Sequence, residues 1–458
     1  MLDKNRHSKF LLPLGEDQGE GIFLRTKLGV HPHPGVNGTD HTALGTRFPE
    51  GSGFSVSGMN PTTGPPFDIA LDISFLSAAG GIGTYTAGLL RALGEIDPNH
   101  RYLLLRNALP AAVPQYARQD ELWQSRMPTL PPEWQLIQTT VANRPAWLLA
   151  ALPRILRKFR PRLYHALDSV SFPFACRTCP WVVTLHDIIP LTHPRFCRWR
   201  DAAGSQWLMR RAVRLADGII TVSNYSAGQI RERFPLAAEK LHVIYSGVDR
   251  DQFHPVEDRA ALARSLMQRW NLPSPHYLLC AATLSPRRNL ERFLEAFAWY
   301  LETYHDKDVV LVIAGCRGWK EQGIFHKIQQ RKLENRVRFL DFVSDTELVQ
   351  LHQAALGLAN PSLIEGFGFP VLEAMACGTP VICSSTTALG EIAGNAALRF
   401  DPLDVESMRE AIRTLVEDSA VRARLAQQGL ERARQFSWPA AARQTVSLYN
   451  QIIQETKS

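Results

Sequence analysis

Short apolar runs ending in polar residues recur along most of this chain, and a helical stretch follows nearly every one. "FDIALDISFL", "RYLLLRN", "LYHAL", "WVVTLHD" and "DGIITVS" fill the first half, which "HVIYSGVDRDQFHP" closes. "YLLCAATL", "VVLVIAG", "VRFLDFV", "AALGLAN" and "TPVICSS" fill the second. Runs this apolar belong to strands buried on both faces, and the helices between them supply the crossovers of a parallel sheet. In "LERFLEAFAWYLETY" a single stripe carries Leu290, Phe293, Leu294, Phe297 and Leu301, the mark of a helix packed on such a sheet. With 458 residues the chain is too long for one core. The pattern therefore predicts an α/β fold of two doubly wound, Rossmann-like domains, residues 66–250 and 276–436. Residues 251–275, a charged helix followed by "NLPSP", link them. The domains face each other across a cleft, and a ligand belongs at the carboxyl ends of their strands.

Residues 1–65 depart from this plan. Stretches such as "HPHPGVNGTDH" and "PEGSGFSVSGMNPTTGPP" are rich in Gly, Pro, His, Ser and Thr without periodicity, which predicts a mobile extension. Met59 stands just before the first strand, so one reading starts translation there and leaves residues 1–58 out of the native protein. An intact mass separates the two: a value for all 458 residues ends that reading.

Composition excludes some classes. No window holds the roughly 18 consecutive apolar residues of a membrane span, and the start lacks the order of a secretory signal. Seven cysteines give no disulfide framework, which suits a reducing cytoplasm. Cys176 and Cys179 form a Cys-x-x-Cys without a second pair for zinc, and read as loop cysteines. The net charge of +7 favours anionic partners or is simply solvated surface; nothing beyond it points to nucleic acid.

The chemistry concentrates in "PSLIEGFGFPVLEAMAC". Glu365 and Glu373 stand eight residues apart around Gly366, Phe367, Gly368, Phe369 and Pro370. The preceding strand and the following helix put the Gly-Phe-Gly turn at a helix N-terminus, with Pro370 in the first turn. Glycines let a ligand approach the backbone, and free amides at the positive end of the dipole favour a diphosphate. Carboxylates accept hydrogen bonds in pairs and sugars offer hydroxyls in pairs, so the two glutamates suit the ribose and hexose of a nucleotide-sugar. The plainer alternative makes Glu373 an ordinary first-turn glutamate and Glu365 a solvated loop residue. "SPRRN" brings Arg287 and Arg288 to another helix start, where they suit the same diphosphate or form a solvated turn. "AGGIGTYT" reads as a turn after the first strand. Gly81 and Gly83 nearly fit a dinucleotide fingerprint, but Thr86 takes the third glycine position. His186 and Asp187 end a strand at the cleft. They are site residues, or a satisfied histidine and a capping aspartate.

Together these segments resemble the retaining glycosyltransferases of family 4, group 1, with the GT-B architecture. The likeness runs from about residue 67 to 452. It rests on "GGIGTYT", "VVTLHDIIPLTHP", "ADGIITVSNYSAGQI", "HVIYSGVD", "PRRNLERFLEAF", "LVIAG", "PSLIEGFGFPVLEAMACGTPVI" and "FSWPAAARQTVSLY". It implies that Glu373 accepts from the donor ribose and that Glu365 contacts the transferred sugar. Amides around Phe367, Gly368 and Phe369 would bind sugar and phosphate. Arg288, where the motif usually has lysine, would grip the diphosphate. Gly81 and Gly83 would shape the turn beneath phosphate and acceptor, and His186 would reach toward the sugar. A helix over residues 437–454 would cross back to the first domain. The resemblance implies no metal and no cofactor beyond the donor, a UDP- or GDP-sugar. General likeness to bacterial cell-surface mannosyltransferases suggests mannose, moved to a saccharide or lipid-linked acceptor. Ala282, Ser246, Asp341 and Gly390 depart from the usual glycine, asparagine, glycine and proline, and none of them removes an expected catalytic group.

"WLLAALPRILRKFRPR" joins an apolar stretch to Arg154, Arg157, Lys158, Arg160 and Arg162, with Arg195, Arg198 and Arg200 further on. This suits peripheral attachment to the anionic inner face of a membrane, or a helix packed into its own domain. Two other functions compete. A dinucleotide-dependent oxidoreductase needs the missing third glycine, and its chemistry leaves the glutamate pair unused. A non-catalytic nucleotide-sugar-binding protein has no need of Glu365, His186 and Arg288 together.

Overall fold

The computed structural model describes residues 55–57, 66–108, 117–141, 143–174, 177–197, 199–304, 308–318 and 320–456. Two sheets account for the alternation. The first contains β1 (Ser55–Ser57), β2 (Ile69–Asp72), β3 (Tyr102–Ala108), β4 (Gln135–Thr140), β5 (Leu163–Ala166), β6 (Trp181–Thr184), β7 (Gly218–Thr221) and β8 (Leu241–Val243). The second contains β9 (Tyr277–Ala281), β10 (Val310–Ala314), β11 (Val337–Phe339), β12 (Gly357–Asn360), β13 (Val381–Ser384) and β14 (Leu398–Phe400).

The orders are β1-β4-β3-β2-β5-β6-β7-β8 and β11-β10-β9-β12-β13-β14. Every pairing is parallel except that of β1, which runs antiparallel to β4. β1 lies within the stretch read as an extension, and it corrects that reading for Ser55–Ser57: their backbone extends the sheet edge. Met59 and the rest of residues 1–65 lie outside the described residues.

Both sheets reverse their order once, at β2/β5 and at β9/β12. A crevice opens at such a reversal, because the following loops and helices leave on opposite faces. The loops after β9 and β12 carry Arg287–Arg288 and Glu365–Gly368, so the topology alone brings the two basic residues and the glycine turn together.

The central strands are buried along their length; β2, β5, β6, β10, β12 and β13 show no exposed position. One apolar cluster covers the outer face of each sheet, and a third is shared between the domains. Phe367, Phe369, Phe436 and Trp438 bridge that shared cluster. Phe367 and Phe369 meet at 4.9 Å, and Phe369 stacks on Trp438 at 6.3 Å.

Trp438 opens the last helix, Trp438–Glu455, which Ser437 caps through a bond from Ala440 N. This helix lies against the helix Gly81–Ile96 of the first domain. Bareness at three glycines permits the crossing. A Cβ on Gly88 would sit 2.1 Å from the Trp438 ring, one on Gly247 2.2 Å from its backbone nitrogen, and one on Gly218 2.6 Å from Ile452. Tyr449 then reaches into the first domain, its hydroxyl 2.6 Å from His165 Nδ1. Thr184 Oγ1 takes the other ring nitrogen at 2.8 Å and meets the Tyr85 hydroxyl at 3.2 Å. Burial pushes His165 down to about 3, so a neutral ring joins this chain of hydroxyls.

The stretch read as a turn, "AGGIGTY", is helical from Gly81 onward. The left-handed position is Gly80, with φ of 90°. Gly83 lies within this helix, and a side chain is excluded there because a Cβ would lie 2.0 Å from Ala78 O.

Gly88→Ala should cost about 1–3 kcal/mol, the usual range for overpacking a tight contact. Urea melts of the two proteins check it. Equal midpoints would show that the helix crossing tolerates a methyl group.

Candidate active site

β9 leads into a single turn of 3-10 helix, Pro286–Arg288, and Asn289 in a left-handed conformation starts the helix Leu290–Thr303. β12 leads through Pro361 and Ser362 to the glycine turn. Leu363 N donates to Arg287 O at 2.8 Å, which fastens the two loops together. Arg287 Nη1 then lies 3.0 Å from Glu365 Oε2, and Arg288 Nη1 pairs with Oε1. Ser362 Oγ adds a bond to Oε1 at 3.1 Å, and Ser384 Oγ fixes Ser362 O at 2.7 Å.

Glu365 is 8% exposed, so it is a buried, doubly paired carboxylate and not a solvated loop residue. The arginines are strained electrostatically. Burial, and then the charge of Arg287, pushes Arg288 well down, while Asp187 opposes the shift. Burial also lowers Arg287, again against Asp187. Two crowded, partly buried guanidinium groups are a setting that an added anion improves.

Gly368 (φ 113°) precedes the helix Phe369–Ala376, with Pro370 in its first turn. A Cβ on Gly368 would meet Leu389 at 2.7 Å. Gly366 abuts the first domain: a Cβ there would lie 2.6 Å from His186 O and 2.9 Å from Asp187 Cβ. The rings of Phe367 and Phe369 face the domain joint, so their contribution to a ligand would come from the backbone. Gly81 lies over Phe369, 3.2 Å from a built Cβ to the ring, whereas Gly83 faces Ala78 and Arg126.

His186 follows β6. Its Nε2–H donates to Leu167 O at 3.0 Å, which leaves Nδ1 as the other ring nitrogen, and the edge of Tyr85 packs on it at 4.7 Å. Asp187 Oδ1 accepts from Ile189 N at 3.0 Å, so the capping role is real, while its charge also reaches both arginines. Glu373 is 5% exposed and lies 3.5 Å from Nε2 of the fully buried His352. Neither ring nitrogen of His352 has a hydrogen-bond partner among the described residues.

Sequence reasoning missed several residues at this junction. Arg126 makes a two-point pair with Asp345, both bonds 2.9 Å, and donates to Ala78 O at 2.8 Å. Ser223, Ser226 and Glu391 also bridge the domains. Their sequence contexts, "VSNYS" and "LGEIA", carry a capping signal and nothing that names a distant partner. A cavity of about 490 Å³ opens beside the arginine turn, lined by Ser285, Arg292, Lys320 and Lys327 among others. Charges along its wall are paired locally, as Lys327 to Glu295 at 2.9 Å. Cys179 is buried; Cys176 lies outside the described residues.

Two family descriptions match the chain, Glycosyltransferase Family 4 over residues 79–252 and Glycosyl transferases group 1 over residues 264–432. The O-antigen chain mannosyltransferase B of Escherichia coli is 30% identical over 324 residues, covering 71% of this chain and 81% of that protein. The chain belongs to the group 1, family 4 glycosyltransferases. The MMP alpha-(1->4)-mannosyltransferase of Mycolicibacterium hassiacum is 30% identical over 290 residues, 60% of this chain and 66% of that one. The serotype-specific mannosyltransferase WbdA of Escherichia coli is 27% identical over 63% of this chain, which spans only 36% of WbdA. Among solved structures, sucrose-phosphate synthase from Thermosynechococcus elongatus superposes with a TM-score of 0.67 at 22% identity, covering 85% of this chain and 100% of that one. Anabaena HepE, in complex with UDP-glucose, gives 0.62 at 21% identity, covering 85% and 99%. The two structural likenesses show the fold alone, GT-B with two Rossmann-like domains, while the family matches and the mannosyltransferase relative at 30% identity make the chain a hexosyltransferase.

Proposed function

We propose that this glycosyltransferase moves a hexose, with retention of configuration, from a nucleoside diphosphate to a saccharide or lipid-linked acceptor in cell-surface polysaccharide synthesis. One observation carries the reading. Arg287, Arg288 and Glu365 converge beside the start of the helix Phe369–Ala376, directly against the strand end that bears His186. Breaking the anomeric bond throws negative charge onto the diphosphate. Arg288 and the amides of the glycine turn meet that charge, and the reading assigns the enzyme no metal. Glu365 already accepts from Arg287, Arg288 and Ser362, which leaves it about one acceptor site of the roughly four a carboxylate has. It therefore orients the arginines and accepts one hydroxyl of the sugar. Glu373 accepts the ribose hydroxyls, its carboxylate lying too far from His352 for an ordinary hydrogen bond. His186 reaches the sugar from the acceptor side, with Asp187, Gly81 and Gly83 shaping the floor.

GDP-mannose is the favoured donor, because O-antigen and MMP alpha-(1->4)- mannosyltransferases are among the relatives at 30% identity. HepE was solved with UDP-glucose, which keeps UDP-sugars in the comparison. A thermal-shift series across GDP- and UDP-sugars decides: a ligand at ~100-fold over its Kd adds ~2.7 kcal/mol of stability. With the stabilising donor, Arg288→Ala should lower kcat roughly 10²-fold, the scale of losing one preorganised donor. An unchanged kcat would remove Arg288 from the mechanism.

No helix among the described residues is long and apolar enough to cross a membrane. Peripheral attachment on the cytoplasmic face is the reading proposed here. Trp147, Leu148, Leu152, Ile155, Leu156 and Phe159 are buried in the first domain, so the apolar side of this segment does not serve a bilayer. Arg154, Arg157, Lys158 and Arg160 stay exposed, and Leu149 is 57% exposed beside them. Arg195 is exposed too; Arg198 lies outside the described residues. Attachment would then be electrostatic, worth about 1 kcal/mol per basic residue near an anionic leaflet. Arg154→Ala with Arg157→Ala should weaken binding to anionic vesicles by roughly 30-fold at low salt. Native protein that ignores such vesicles at low salt would end the reading.

A further inference from the structure

The strand end after β7 and the helix Asn224–Arg233 meet the second domain at four backbone or hydroxyl points. Ser223 caps the helix, its Oγ accepting from Ser226 N at 3.1 Å, and the same hydroxyl donates to Gly366 O at 2.7 Å. Ser226 Oγ lies between two carbonyls, 3.1 Å from His186 O and 3.3 Å from Gly366 O. Both serines are buried, at 0% and 2% exposure. On the flank, Glu391 Oε1 accepts from Asn224 N at 2.8 Å and Oε2 from Tyr225 N at 2.8 Å. Tyr245 adds its hydroxyl to Oε1 at 2.5 Å. Arg432 holds the backbone of this segment, donating to Glu391 O at 2.7 Å and Ile392 O at 2.9 Å.

The first amides of a helix have no partner within it, and their positive end favours a carboxylate. Here that carboxylate belongs to the other domain. Gly366 O is the acceptor at the centre, one residue from Glu365, and Ser226 joins it to the residue bearing the His186 imidazole. The hydroxyls thus fix the separation between two groups assigned to opposite sides of the reacting bond. Arg287, Arg288 and Glu373 make none of these contacts.

We propose that Ser223, Ser226 and Glu391 are positioning residues for glycosyl transfer. They hold the Glu365–Gly366 turn at a fixed distance from His186 and take no part in binding the nucleotide. The inference rests on the donor lying at the Glu365–Phe369 turn. A misplacement of about 1 Å costs on the order of 10²-fold in rate, so a slackened turn shows in kcat.

Ser223→Ala with Ser226→Ala should lower kcat at least ~10-fold while the Kd for the bare nucleotide, GDP or UDP, stays within about twofold. Ser223→Thr, which keeps the cap and the hydroxyl, should retain most of the kcat. Glu391→Gln, which removes one of two acceptors without disturbing the buried serines, should give the same split and, in small-angle scattering, a larger radius of gyration than the native enzyme with nucleotide. It serves if the double variant fails to fold. A kcat unchanged in folded variants, or a nucleotide Kd that rises in proportion as kcat falls, overturns the proposal. Glu373→Ala in the native background separates the two failures. If nucleotide affinity survives that change, the donor site has been misplaced, whatever the scattering of Glu391→Gln shows.

Discussion

One buried carboxylate shared by two guanidinium groups is the constraint around which this cleft is arranged. Leaving either arginine without Glu365 would strand a charge in a place with little water, a loss of several kcal/mol for a buried pair broken on one side. Glu365 in turn needs both loops to be where they are, because Arg287 and Arg288 follow β9 and Glu365 follows β12. Those strands are neighbours only because the sheet order reverses between them. The charge cluster therefore depends on the topology, and the topology places it at a crevice. Two cations against one anion at this point, before Asp187 is counted, leave an excess of positive charge.

The glycine turn divides its work between backbone and side chains. Gly366 and Gly368 bring the chain close to its neighbours, His186 and Asp187 at the first and Leu389 at the second. Phe367 and Phe369 turn the other way, into the joint with Phe436 and Trp438. The alternation of Gly and Phe thus reflects two surfaces. One abuts His186 and Asp187 of the first domain, and the other ties the second domain to the helix that returns to the first.

Much of this was legible in the sequence, for reasons that differ by element. Strands buried on both faces leave continuous apolar runs, and "VVLVIAG" needs no partner to be recognised as β10. "QLIQTT" hides β4, because two glutamines and two threonines on a strand near the sheet edge break the run. β14 is three residues long and carries Arg399. β1 is three residues long, and "SVS" is too short to show a strand period. At the site, the glycine turn and the arginines were readable because strand-to-helix loops have a local grammar. Ser223, Ser226, Arg126 and Glu391 were not, since each gains its meaning from a partner more than a hundred residues away. His352 escaped notice because a lone histidine in an amphipathic helix looks like core.

The two kinds of contact between the domains respond differently to rotation. The aromatic joint at Trp438 is apolar and non-directional, so it loses little when the domains turn by a few degrees. Hydrogen bonds weaken steeply once their angles leave the preferred range. Ser223 to Gly366, Glu391 to the helix start and Arg126 to Asp345 are all directional, and all lie across the cleft from one domain to the other. They can be satisfied together at one relative orientation only. That orientation is also the one in which the Gly366 backbone abuts His186, so the contacts that select the domain angle also set the distance between the glycine turn and the end of β6.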